Sequence, residues 1–105
     1  EATPRRVITL RAADNIFREE VLAAHAEKKL WQYFAMLTPL PGEEEKAVIL
    51  LRAVQTSEQN MAYAARLPYD VMENTTRRIL ETLPDVRRVV YDLSPSSNYA
   101  GIEWQ

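Results

Sequence analysis

A chain of 105 residues has room for one domain, and 47% apolar with 27% charged residues is globular rather than disordered composition. The absence of cysteine and the single histidine, His25, exclude a disulfide framework, a thiolate metal site and the His-pair zinc motifs. Two glycines leave no Gly-rich phosphate loop, and a net charge of −2 without a basic block gives no support for a nucleic-acid surface.

The longest apolar run, Ala47–Leu51, is too short to span a bilayer, and no signal-peptide pattern opens the chain. These features fit a cytoplasmic protein with no membrane contact. The chain opens on Glu1 rather than Met, so it is expected to be a fragment or a processed product.

Thr3-Pro4 is a helix opening, with Thr as N-cap and Pro at the first helical position. Val7, Leu10, Phe17, Val21 and Ala24 then share one helix face, which Asp14 interrupts, so Asp14 must lie at its edge or find a partner. The helix is expected to fade near Lys28-Lys29. Trp31–Thr38 reads as a strand ended by Pro39 and Pro41-Gly42, and Glu43–Lys46 reads as a solvated link. Ala47–Gln55 is apolar on both faces through Leu51, as in a strand covered on both sides, and should pair with Trp31–Thr38 as a hairpin.

Ser57 is expected to cap a short helical turn through Ala65. Pro68 opens a second helix to about Leu83, with Val71, Met72, Thr75, Ile79, Leu80 and Leu83 inward, and Pro84 ends it. Val86–Leu93 alternates as a third strand, and Ala100–Gln105 reads as a short terminal strand with Ile102 and Trp104 on one face. The order α-β-β-α-β-β predicts an α+β fold, a small single domain over residues 1–105 in which two helices pack one mostly antiparallel sheet. Val48, Leu50, Val89, Tyr91, Ile102 and Trp104 exceed what the covered face of such a unit needs. Either the helices cover both faces, or another subunit buries one of them.

Four motifs carry a resemblance: Leu51-Arg52-Ala53-Val54, Ala65-Arg66-Leu67-Pro68-Tyr69, Arg88-Val89-Val90-Tyr91-Asp92 and Ile102-Glu103-Trp104. In content and order the chain resembles the carboxy-terminal dimerisation domain of the glutamine-hydrolysing GMP synthases. Leu10-Arg11 with Ala13-Asp14 and Ile16-Phe17, then Trp31-Gln32 with Phe34-Ala35, extend the similarity to the first half. The resemblance implies a module of an enzyme that makes GMP from XMP, ATP and glutamine. Such a parent carries glutaminase and ATP-pyrophosphatase domains and uses ATP and Mg. The module itself would form a homodimer, complete the XMP pocket, hold no cofactor and perform no catalysis.

Two pocket residues carry over by resemblance. Arg88 stands where the family has an arginine on the XMP phosphate, a task that suits the fixed fork of guanidinium donors. Glu103 stands where the family has a carboxylate reaching the purine or its ribose. The intervening loop departs: the family has Ser-Lys-Pro-Pro with a phosphate-binding lysine, whereas this chain reads Ser94-Pro95-Ser96-Ser97-Asn98-Tyr99. The hairpin region Pro39–Lys46 is also shorter than in the family.

Plainer roles stand beside these. Arg88 could face solvent or a partner, and Glu103 could be a surface residue. His25 reads as a surface residue near a helix end. Glu43–Glu45 is a solvated turn rather than a metal site, and Ser96 and Ser97 have no histidine to activate them. Three functions follow in order: an XMP-binding dimerisation module of a GMP synthase, a diverged non-catalytic dimerisation module, and an unrelated small α+β enzyme.

Overall fold

In a computed structural model, which describes residues 3–95, the chain begins with helix α1, Pro4–Ala23. Its start is as the sequence predicts: Pro4 occupies the first turn, and the Thr3 hydroxyl accepts a bond from Arg6 N–H at 3.1 Å. Its end comes earlier than the lysines suggest. His25 adopts φ 55°, so that its N–H reaches the Leu22 carbonyl and Ala26 N–H reaches that of Val21, both at 3.0 Å. This left-handed closure stops the helix without glycine, and Lys28-Lys29 fall in a separate 3-10 turn, Glu27–Lys29.

Strands β1 (Gln32–Leu40) and β2 (Glu43–Thr56) form an antiparallel hairpin. Leu40 pairs with Glu43, leaving Pro41-Gly42 as the loop, and Gly42 takes the φ of +81° that the third residue of a type II turn needs. Glu43–Lys46 is therefore strand and not link, because the tight turn carries pairing to the hairpin tip. The segment after Ser57 also departs from expectation. The Ser57 hydroxyl accepts from Gln59 and Met61 N–H at 3.2 Å each, but this caps a turn. The chain then returns as a short strand β3, Ala62–Ala64, antiparallel to Val54–Thr56. Pairing to an open strand edge outweighs the local helical preference.

Helix α2 spans Tyr69–Thr82 and strand β4 spans Val86–Tyr91. The β4 strand joins β2 in parallel, from Ala47 opposite Val86 to Leu51 opposite Tyr91. Two of the three strand pairings are thus antiparallel, and β2 is central, with β1 on one edge and β3 and β4 sharing the other. Among the described residues the order is α-β-β-β-α-β, the added element being β3. The expected terminal strand Ala100–Gln105 lies outside them.

Both helices pack on one sheet face and on each other. Ala13, Ile16, Phe17 and Val21 of α1 and Val71 and Ile79 of α2 meet Ala35, Ile49, Leu51, Ala53 and Val86 of the sheet. Burying a side chain such as Phe17, Ile49 or Ile79 contributes about 1.5–3 kcal/mol. The inward face of α1 is rotated from the expected stripe: Thr9 and Ala13 are buried, Val7 is half-buried and Ala24 is exposed. In α2, Leu80 faces solvent while Val71, Thr75 and Ile79 are inward as predicted. Asp14 finds its partners, accepting from Ala35 N–H at 2.8 Å and from Arg18 Nε at 2.7 Å. Arg78 of α2 grips Glu19 and Glu20 of α1 at 2.9 Å each, and Arg5 forks onto Asp85 at 2.6 and 2.7 Å. Salt-bridged Arg5 holds the Asp85 carboxyl below its usual range.

Candidate functional site

The period of two in β2 sends Ala47, Ile49, Leu51 and Ala53 towards the helices and Val48, Leu50, Arg52 and Val54 to the opposite face. Register places Phe34 and Met36 of β1 beside Arg52 and Leu50, and Arg88 and Val90 of β4 beside Val48 and Leu50. The second face therefore carries a patch of Phe34, Met36, Val48, Leu50 and Val90, all half-buried, against which neither helix packs. Val89 and Tyr91, grouped with Val48 and Leu50 as surplus apolar residues in the sequence, belong to the helix-covered face. Ile102 and Trp104 lie outside the described residues.

Arg88 stands exposed on this second face, opposite Val48. Among the described residues it makes no ion pair, whereas its neighbour Arg87 pairs with Glu43 at 3.5 Å. A guanidinium uncommitted to a carboxylate can present its donor fork to a phosphate. Glu103 lies outside the described residues, so its distance to Arg88 is not among the geometry described.

Arg52 was not singled out as a site residue, yet it is the most deeply buried charged side chain described, 1% exposed. It lies 3.5 Å from Asp92 Oδ1, and its Nη1 donates to the carbonyls of Asp92, at 3.2 Å, and Ser94. A signal was available: an arginine interrupting the apolar run of a two-faced strand must have a buried acceptor. On the opposite face Tyr91 donates its hydroxyl to the Ala65 carbonyl at 2.6 Å, and burial pushes it up to about 12.

Elsewhere, a cleft of about 620 Å³ opens between the first turn of α1, the hairpin and Asp85. Its cations Arg5, Arg6 and Lys46 face Glu44, Glu45 and Asp85, and Arg5 is committed to Asp85, so it offers no net charge to a ligand. No group of three or more His, Cys, Asp or Glu side chains among the described residues could hold a metal ion. No helix among them is long and apolar enough to cross a membrane. His25 is exposed and serves the helix turn described above.

The fold thus defines a two-layer α+β domain with one helix-covered sheet face and one face the described helices leave bare, which carries the exposed Arg88. Residues 19–104 match the family described as the GMP synthase C terminal domain. Across its whole length the chain is 40% identical to the glutamine-hydrolyzing GMP synthases of Clostridium botulinum (strain Hall) and Clostridium novyi, and 39% identical to that of Clostridium acetobutylicum. The chain belongs to the GMP synthase C-terminal domain family. It spans 22% of the length of each of these relatives.

Proposed function

We propose that this domain is the carboxy-terminal module of a cytoplasmic GMP synthase, pairing two copies through the bare sheet face and completing an XMP pocket with Arg88 and Glu103. The observation that carries this reading is the placement of both helices on one side, which leaves Phe34, Met36, Val48, Leu50 and Val90 together on the other. An apolar sheet face of this kind is buried favourably against its own copy by a two-fold axis. Glutaminase and ATP-pyrophosphatase chemistry, with ATP and Mg, would belong to the rest of the parent, in keeping with the share of the relatives that this chain spans.

Sedimentation equilibrium at micromolar concentration tests the pairing. The expected result is a dimer that Leu50→Asp converts to a folded monomer. A wild-type chain that stays monomeric over the range would remove the reading. The isolated domain should bind XMP at best at about millimolar strength, because one exposed arginine–phosphate pair is strongly screened. In the complete parent, Arg88→Ala should raise the KM for XMP.

A second reading, a dimerisation module that no longer contributes to XMP binding, has one observation in its favour. The loop from Ser94 to Tyr99 contains no lysine. Loss of such a charge-assisted bond weakens binding by about 1.5–3 kcal/mol. An unchanged KM for XMP in Arg88→Ala would favour it.

A further inference from the structure

Arg52 sits where a leucine or valine would be less costly. It is flanked on its own face by Leu50 and Val54, and its charged group is almost wholly removed from water. Burying a guanidinium is expensive even when it is paired, and apolar replacement of such pairs often stabilises a fold. Stability alone therefore does not account for it. Its contacts point to a different task. Two of its acceptors are backbone carbonyls, those of Asp92 and Ser94, at the point where the chain leaves β4.

The same segment is fixed from its own side. Asp92 N–H donates to the Leu51 carbonyl at 2.9 Å, continuing the parallel ladder one step past Tyr91. The Asp92 carboxylate then does two things. Its Oδ1 lies 3.5 Å from Arg52 Nη1 and accepts from Ser94 N–H at 2.8 Å, which bends the chain back over the guanidinium. The clamp thus joins two of the motifs separated in sequence, Leu51–Val54 and Arg88–Asp92. It locks the carboxyl end of the strand that carries Arg88.

We propose that Arg52, acting through Asp92 and Ser94, is a positioning residue for XMP: it holds β4, which bears Arg88, in the place that the nucleotide requires, without touching the nucleotide. This rests on the reading of Arg88 as an XMP ligand. Lysine at position 52 would keep the charge, but its ammonium ends one bond short of Nη1, the atom that meets both carbonyls and the carboxylate. A small misplacement of binding groups is enough for a large kinetic cost.

The test is steady-state kinetics of the complete parent enzyme, with Arg88→Ala, Arg52→Lys and Asp92→Asn compared with wild type. The expected result is that Arg52→Lys raises the KM for XMP about tenfold, leaves the KM for ATP unchanged, and keeps kcat and the melting temperature close to wild type. Asp92→Asn, which keeps both carbonyl acceptors, should produce a smaller rise in the same direction and serves if Arg52→Lys does not fold. An Arg52→Lys enzyme with an unchanged KM for XMP, alongside an Arg88→Ala enzyme in which it rises, would overturn the positioning role and leave the XMP reading standing. A loss shared by every substrate together with a lowered melting temperature would show Arg52 to be structural only. An Arg88→Ala enzyme with an unchanged KM would sink the XMP reading and this proposal with it.

Discussion

Ile49 and Leu50 are neighbours in one apolar run, yet they meet different surroundings. Ile49 is fully enclosed between the helices, while Leu50 is half-buried on a face that neither helix reaches. The same contrast repeats on β4, where Val89 and Tyr91 pack into the core and Arg88 and Val90 do not. An apolar run without alternation marks a strand suited to two dry faces. The described chain supplies one of them, and the proposed second copy would supply the other. Such a run therefore reports the surroundings a strand is suited to, not the number of helices its own chain provides.

The contrast is broken or sharpened most strongly by truncation on either side of it. Ile49→Ala should cost about 2–5 kcal/mol, read by urea denaturation, and the loss should be the same at high and low protein concentration. Leu50→Ala should cost little in dilute solution and progressively more as concentration rises, since binding to a second copy stabilises the folded state by mass action. Equal, concentration-independent losses at both positions would erase the distinction between the faces.

A smaller effect belongs to Tyr91, half-buried on the covered side. Tyr91→Phe removes the bond to the Ala65 carbonyl and should cost about 1 kcal/mol. Burial raises the pKa of Tyr91 from 10.0 to about 12, so the folded state holds its proton more tightly than the unfolded state. Its contribution is complete below pH 10 and is lost as pH climbs to about 12. Denaturation midpoints measured across that range should fall more steeply for wild type than for Tyr91→Phe.

The smallest change lies off the sheet altogether. His25 bears a side chain at φ 55°, where glycine is relaxed, so His25→Gly should stabilise the domain by about 0.5–1 kcal/mol. Because the site touches neither face, the gain should add unchanged to Ile49→Ala and to Leu50→Ala in combined variants.

Much of this architecture was legible because its signals are local. Thr3-Pro4 announces a helix start, Pro41-Gly42 a turn, and the spacing of Val71, Thr75 and Ile79 an inward helix face. Asp14 was legible as a residue in need of a partner, although only the fold reveals that the partners are Ala35 N–H and Arg18. What escaped depends on distant partners or on unusual backbone. The end of α1 was hidden because histidine, not glycine, takes the left-handed position. Ala62–Ala64 becomes strand only because β2 offers it an edge. Arg88 was legible as a candidate through its motif, and its exposure on the bare face agrees with that reading without testing it. The burial of Arg52 is signalled by the apolar run it interrupts, but its acceptors were not legible, since they lie forty or more positions away on the chain.

The parallel pairing of β4 also sets an order of assembly. β1 reaches β2 across the Pro41-Gly42 turn alone, whereas β4 reaches it only after β3 and α2 have been made. Closing the longer loop costs more chain entropy, so the hairpin can form early while the β2–β4 ladder waits for α2 to settle on the core. Arg88 and the Arg52–Asp92 clamp then come into register with that ladder. On a growing polypeptide the bare face would be half-built until β4 arrives, which delays any pairing of copies until the strand bearing Arg88 is in place.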